Sequence, residues 1–510
     1  MLMFFLGLLT LYFGYALYGR FVEKILQPDD RATPARLFAD GVDYVVLPHW
    51  KNMLIQLLNI AGVGPVIGVI LGVKFGPIVF LIIPFGNIIG GAVHDFVAGM
   101  MSLRHKGANH PALIRMATNT PVYVAFSVFM CFLLLLVVAV FINVPAALIS
   151  GMFPSSAAIT VFGVPFTPVL LLSILLIFLY YIASTIFPID KIIGKIYPAF
   201  GLMLLIGTAA IMISLVWHES FITPNLLKTN PESLPLFQSF QEKNPILPCL
   251  FVTIACGILS GFHATQSPII ARTMISEKQA RSSFYGMMVV EGAIALVWAA
   301  AGYAIYNLMP EQINANPNHV LLVITKHFLG SWMGSLTVIA VIILAITSGD
   351  TAMRSLRLSL AEIFHLNQRR AHSRILLCLP IIGIVIALLF WSNIDKKSFG
   401  LLWNYFAWGN QVLASFTLLS CSVWLFSQRR NGFVTLIPGI FITFIVTTFI
   451  LWTSPEHGGP YGFGLELPLA QTIGLALALL LGFWAWRSGK HRIGDIPDDP
   501  EYTANAESQK

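Results

Sequence analysis

The sequence predicts an all-α polytopic membrane protein of about 13 transmembrane helices: one extra N-terminal helix, a core of two five-helix units related by inversion, and two C-terminal helices. Three observations lead there. Of the 510 residues, 57% are hydrophobic and only 10% charged, and the mean hydropathy is +0.79, values that no water-facing surface tolerates. A soluble multidomain enzyme is thereby excluded. Each bilayer crossing takes about 20 apolar residues, and runs of that length follow one another with short loops between them. Two of these runs are interrupted by Gly and Pro, and they stand five spans apart.

In chain order the runs are 2–19, 52–72, 76–101, 121–142, 159–183, 199–217, 246–267, 286–308, 333–353, 374–391, 400–427, 433–453 and 468–486. The first lacks a basic leader and a small-residue cleavage site, so it reads as a retained helix and not a cleaved signal. Residues 1–51 then form an N-terminal helix and loop, 52–217 the first repeat, 246–427 the second, 433–486 two peripheral helices, and 487–510 a disordered tail. Strict alternation of the spans places 24 of the 30 Lys and Arg on one side, which sets the N-terminus outside and the loop 20–51 and the C-terminus in the cytoplasm. The same distribution accounts for the net charge of +7 and pI of 9.1 without a nucleic-acid partner; the partner of most of the surface is the lipid bilayer. Cys131, Cys249, Cys256, Cys378 and Cys421 lie in or beside apolar runs with no CxxC pair and read as buried thiols.

The interrupted runs carry the functional signal. Asn59-Ile60-Ala61-Gly62-Val63-Gly64-Pro65 and Ser260-Gly261-Phe262-His263-Ala264-Thr265-Gln266-Ser267-Pro268 combine helix breakers with polar side chains. Either motif alone is commonly mere close packing. Four spans lie between them, so the unit that recurs has five spans, an odd number that reverses the second relative to the first, the arrangement in which discontinuous helices flank a substrate site. Freed N–H groups at a break suit a carboxylate, and freed carbonyls suit a cation. Candidate substrate-binding residues are therefore Asn59, Gly62, Gly64, His263, Thr265, Gln266, Ser267 and Asn410. Candidates for ion or proton coupling are His94, Asp95, Glu291, Thr347, Ser348 and Asp350, because an ionisable side chain inside a span costs about 2.5 kcal/mol or more and is kept for a wet cavity or a partner. Adjacent on a helix and about 100° apart, His94 and Asp95 are expected to serve different neighbours. Glu291 is protonated, paired with Arg281, or a relay. For Thr347 and Ser348 the plain alternative is a hydroxyl bonded back to its own helix, and for Asp350 a pair with Arg354 one turn later.

Those two motifs, together with Gly90-Gly91-Ala92-Val93-His94-Asp95-Phe96, Thr347-Ser348-Gly349-Asp350-Thr351 and the stretch from Trp403 to Gln411, resemble the carbon starvation protein A family, in the same order from about Trp50 to Gln411. The resemblance implies an inner-membrane carrier of the amino acid-polyamine-organocation superfamily with a five-plus-five inverted-repeat (LeuT-like) core, acting when preferred carbon is scarce. It implies peptides or pyruvate as substrates, pyruvate being carried with protons. Set beside the family's long forms, this shorter sequence is expected to lack their extended C-terminal part.

The expected activity is therefore secondary active import of a small carboxylate-bearing nutrient, coupled to H⁺ or Na⁺, with no catalytic residue, metal site or cofactor beyond the coupling ion; the sequence leaves the ion and the oligomeric state open. Two other classes stand beside it. An intramembrane hydrolase would need His94, His263, Glu291 and Asp350 to assemble from four spans without any HExxH-like spacing. A nutrient receptor would lack the soluble signalling domain expected of one.

Overall fold

The computed structural model describes residues 2–39, 44–161, 163–186, 190–223, 225–364, 366, 371–394, 396–457 and 459–496, the side chains at 185, 186, 190–198, 358, 362, 371–374, 396 and 397 excepted. The predicted tail thus lies outside the described residues from 497 onward. Before that point the last helix continues to His491, and Ile496 packs into the core while its carbonyl accepts from Gln428 Nε2 at 2.5 Å.

The apolar helices are α1 (Leu2–Leu26), α2a (His49–Ile60) and α2b (Gly64–Phe75), α3 (Val79–Leu103), α4 (Thr120–Met152), α5 (Pro168–Ser184), α6 (Ala199–Ile222), α7a (Ile246–Thr253) and α7b (Ala255–Ala271), α8 (Glu277–Leu308), α9 (Pro317–Ala361), α10 (Ile375–Ser392), α11 (Ser398–Ser427), α12 (Phe433–Trp452) and α13 (Leu467–His491). Among the described residues ten are long and apolar enough to cross a membrane, or twelve when each bent pair is one span; α5 is shorter. Their exposed faces carry Leu, Ile and Phe, as a lipid solvent requires.

Both expected breaks are present. The first pair bends by 52° and the second by 71°. The two bent helices lie against each other through small residues: a Cβ on Gly64 would strike Cys256, one on Gly72 would strike Ile254, and one on Gly68 would sit 3.2 Å from the Thr253 carbonyl. Close backbone approach of this kind is how membrane helices pack without a hydrophobic driving force.

Two expected spans need correction. Residues 159–166, assigned to the start of a span, form an antiparallel hairpin in which Ile159 pairs with Phe166 and Val161 with Val164. Gly163 at φ +82° makes the turn, β-branched residues flank it, and Pro168 opens the helix that follows. The span expected at 333–353 is the interior of α9, which starts at Pro317 and turns sharply at Gly330 (φ +71°). Residues 27–39 and 44–47 lie against the ends of α3 and α7b. Thr33 Oγ1 donates to the Met274 carbonyl (2.6 Å), and the Leu47 N–H donates to Thr273 O (3.0 Å).

Candidate functional site

The second break is the more elaborate. Ile254 leaves the helical region, a single turn runs from Ala255 to Ile258, Leu259 is extended (φ −170°, ψ 114°), and the helix resumes at His263. Gly261 is needed here because its N–H donates to the Asn410 carbonyl (3.0 Å) and a side chain would collide with the backbone of Asn410 and Ala414. The N–H groups of His263, Ala264 and Thr265 turn back onto the carbonyls of Ser260, Gly261 and Phe262 at 3.0–3.2 Å. Side chains, more than free amides, therefore present the chemistry at this end. At the first break Ala61 departs from the helix (ψ 55°) and Gly62 faces Ser348, whose Oγ would be 3.3 Å from a Cβ placed there.

Between the breaks lies a small cavity. Asn59, Gly62 and Gly64 line it from α2, Ser260 and His263 from α7, and Ser348 and Asn410 from α9 and α11, with Phe141 and Phe406 as its apolar wall. Its free volume is ≈ 20 Å³, room for about one water and not for a nutrient. A roomier apolar pocket of ≈ 520 Å³ between α11, α12 and α13, lined by Trp408, Leu419, Val446, Leu481 and Trp484, holds no ionisable side chain. The chemistry is thus in the smaller space.

Beside that cavity four titratable groups from three helices converge in the core. Asp95 is wholly buried and is flanked by His94 Nδ1 at 2.8 Å and His263 Nδ1 at 3.2 Å. The other ring nitrogen of His263 is 3.8 Å from Glu291 Oε1. His263 thus bridges two carboxylates that belong to α3 and α8. The expectation that His94 and Asp95 serve different neighbours is corrected: their backbone directions diverge, but the imidazole reaches along the helix surface to the adjacent carboxylate. Pairing of Glu291 with Arg281 is also excluded, since Arg281 is held by Glu23 at 2.9 Å and stacks over Tyr15. Neither oxygen of Glu291, nor Nε2 of His94, has a hydrogen-bond partner, although all are buried. Around the turn Asn87–Gly91, α3 is wound more widely than an α-helix, and Asn87 Nδ2 donates to the Met288 carbonyl (2.9 Å), tying α3 to α8 just before the cluster.

The remaining candidates are placed as follows. Asp350 belongs to a different cluster, in which Ser184 Oγ donates to it and Arg354 lies at 3.6 Å, so the expected pair with Arg354 exists. Thr347 returns its hydroxyl to the carbonyls of Ile343 and Leu344, whereas the Ser348 hydroxyl is buried without a partner at the cavity wall. Thr265 and Ser267 also bond to their own helix, at Phe262 O and His263 O. Gln266 is buried, with Oε1 unpartnered. Asn410 Nδ2 donates to Phe406 O, and its Oδ1 accepts from Ser260 Oγ at 3.4 Å; Gln411 ties α11 to the Phe251 carbonyl at 2.7 Å. Sequence reasoning missed Ser184, one residue beyond an expected span, and Arg104, a wholly buried guanidinium whose partner Glu277 is 3.0 Å away. All five cysteines are buried.

The carbon starvation protein CstA family matches residues 1–196, 171–327 and 318–449. The chain belongs to that family. An uncharacterized membrane protein of Haemophilus influenzae is 42% identical over 340 residues, 60% of this chain and 91% of that protein. The peptide transporter CstA of Helicobacter pylori is 25% identical over 346 residues (56% of this chain, 48% of that one). The pyruvate/proton symporter BtsT of Escherichia coli is 26% identical over 343 residues (57% and 46%). The matched stretch thus spans about half the length of these two transporters. In fold the chain is similar to a manganese transporter of Eremococcus coleocola, at a TM-score of 0.58, 11% identity, and coverage of 89% of this chain and 99% of that one. A CstA-family chain with a transporter-like fold thus carries its buried titratable cluster against a cavity between two broken helices.

Proposed function

We propose that the chain is a secondary active carrier that imports a small carboxylate-bearing nutrient, a peptide or pyruvate, together with protons when preferred carbon is scarce. The observation that carries this reading is the bridge Asp95–His263–Glu291, in which an imidazole starting one half of a broken helix links two buried carboxylates beside the cavity. An imidazole can take up and release a proton, and two carboxylates that cannot both stay charged and unpaired make the proton count of the cluster sensitive to what enters the cavity. Proton binding and substrate binding then share one set of contacts, which is what coupling requires.

The closed cavity corresponds to a state between the outward- and inward-open ones, and opening takes movement of one helix group against the other. In this reading α5 crosses the membrane as well, giving thirteen crossings, two inverted five-helix repeats at 52–217 and 246–427, an outside N-terminus and a cytoplasmic C-terminus in the inner membrane. The placement of Lys and Arg supports that orientation. The donor set around the cavity, one imidazole, two amides and two hydroxyls, suits a carboxylate, and among the described residues that line it no hydroxyl is hydrogen-bonded to a base, which supports a carrier over an enzyme.

Uptake of labelled pyruvate and labelled di- and tripeptides into proteoliposomes, under separate pH and Na⁺ gradients, tests it. Uphill accumulation driven by the pH gradient is expected. Accumulation driven only by Na⁺ would overturn the proton reading, and binding without flux would make the chain a receptor.

A further inference from the structure

The cluster needs a route by which its proton leaves, and one seam of the molecule is built unlike the rest. On α2a, His49, Asn52, Gln56 and Asn59 recur at spacings of three and four, so they share one helix face. On the antiparallel neighbour α7b, His263 and Gln266 share a face in the same way, and Thr273 follows two residues past the helix end. At one end of the seam His49 Nε2 lies 3.0 Å from Ser282 Oγ, and Asn52 exchanges two hydrogen bonds with Thr273: Nδ2 to Thr273 O at 2.9 Å, and Thr273 Oγ1 to Oδ1 at 2.7 Å. At the other end Asn59 and His263 line the cavity. Between them, Gln56 is 0% exposed and neither its amide oxygen nor its amide nitrogen has a partner, and Gln266 Oε1 is buried and unpartnered as well. Buried amides are almost always satisfied, so three orphaned atoms along one seam call for an occupant with hydrogen bonds of both kinds. Water is the occupant that matches, being small, both donor and acceptor, and able to bridge polar groups too far apart to touch.

We propose that the α2a–α7b seam is the proton exit wire of this carrier, with Gln56 as its positioning residue. The proposal rests on the carrier reading above. The proton leaves the Asp95–His263–Glu291 cluster onto water at Asn59 and Gln266, passes Gln56 by exchange of O–H bonds along the water file, and reaches His49 and the cytoplasm. Only O–H and N–H bonds are made and broken, and the amides orient the file without titrating. The other charged groups on the surrounding elements are occupied: Arg272 by the Gly107 carbonyl and Asn109, Arg281 by Glu23, and Asp350 by Ser184 and Arg354. Lys51 adjoins Asn52 on α2a, and Cys256 lies beside the cavity. His49 and the groups of the cluster itself, His94, Asp95, His263 and Glu291, are left along the path.

Purified protein in proteoliposomes loaded with a pH-sensitive dye separates this from a structural role. With labelled pyruvate and labelled dipeptides as probes, Gln56→Leu should lower pH-driven net uptake and the accompanying acidification at least tenfold. It should leave substrate counterflow within twofold, because exchange needs no proton release. Its thermal midpoint should stay near that of the parent, since the amide bonds water and no neighbouring helix; a glutamine that ties helices together would lower it. Gln56→Met, of nearly equal length, should behave alike and serves where the leucine variant does not fold. Net uptake and counterflow that stay unchanged, or that fall together, overturn the wire while leaving the carrier intact. A parent protein that follows Na⁺ and ignores pH overturns the carrier's proton coupling and the wire with it.

Discussion

Two groups of buried charges belong to the same helix, and they are held in opposite ways. At the end of α3 the Arg104 guanidinium is wholly buried. Its Nη2 donates to Glu277 Oε2 at 3.0 Å and to the Gln27 carbonyl at 2.8 Å, and its Nε faces both Glu277 oxygens at 3.2 and 3.3 Å. Glu277 is further bound by the Asp29 N–H at 3.3 Å and approached by Arg31 at 3.8 Å. Nine residues earlier, Asp95 shares two histidines, and the carboxylate beyond them, Glu291, has no hydrogen bond at all. The first group is over-determined: planar donors meet a fork of acceptors, and one arrangement is far better than any other. The second has fewer bonds than it could make, so a proton, a water or a substrate changes which arrangement is best. One end of α3 is a clamp and its middle is a switch.

Removing the charge from the middle of the switch should produce the largest effect. Asp95→Asn keeps the shape and takes away the anion that both histidines share, so pH-driven uptake in proteoliposomes should fall by about 100-fold or more, as expected when a buried charge pair in a functional site is broken. Size-exclusion behaviour and thermal midpoint should stay near those of the parent. A variant that accumulates substrate at even a tenth of the parental rate would detach Asp95 from coupling.

Breaking the clamp should instead cost stability. Arg104→Ala leaves Glu277 buried without its main partner, a change expected to destabilise by about 3–5 kcal/mol, read as unfolding in detergent against denaturant. Replacing both partners by apolar residues, Arg104→Met with Glu277→Leu, should recover most of that loss. Should the single and double variants be equally unstable, the pair is not what holds residues 27–31 to α3.

How legible these regions are in sequence differs for a physical reason. The two breaks can be read because Gly62, Gly64, Pro65, Gly261 and Pro268 alter local backbone preference, and local preference is written residue by residue. Likewise, His94, Asp95, His263 and Glu291 stand out because ionisable groups are costly in apolar runs. Which of them meet is a matter of tertiary packing: that His263 selects Asp95 and Glu291, and that Arg281 goes to Glu23, depends on how α3, α7b and α8 cross. The hairpin at 159–166 escapes a hydropathy window because a β-branched apolar strand and a helix weigh the same there. Arg104 is hidden because it lies just past the apolar run, where a basic residue normally marks a solvated end; only the burial of Glu277, 173 positions later, shows otherwise.

The wall of the cavity offers a smaller contrast within one turn of α9. Thr347 spends its hydroxyl on its own helix, whereas Ser348 has a buried hydroxyl free for a ligand. Ser348→Ala should lower apparent substrate affinity about fivefold, the loss of roughly 1 kcal/mol for one hydrogen bond, and Thr347→Val should change it less than twofold. Equal effects would mean that the two hydroxyls act through the helix and not through the cavity.

The smallest effect belongs to the outermost layer of the clamp. Asp29 lies on the loop after α1, where the Arg31 side chain donates to it at 2.7–3.0 Å and holds its carboxyl down at about 2, against the opposing effect of burial. A depressed carboxylate pKa adds stability at pH values above its unfolded value, roughly 4, and loses it as pH falls toward about 2. Because Asp29 is half exposed, water screens most of that gain. Asp29→Asn should therefore cost no more than about 0.5 kcal/mol at pH 7, and the difference should shrink steadily between pH 4 and pH 2 in matched unfolding titrations. A deficit that persists unchanged at pH 2 would place the contribution of the Asp29 side chain in the packing of the loop and would make even the rim of the clamp independent of charge.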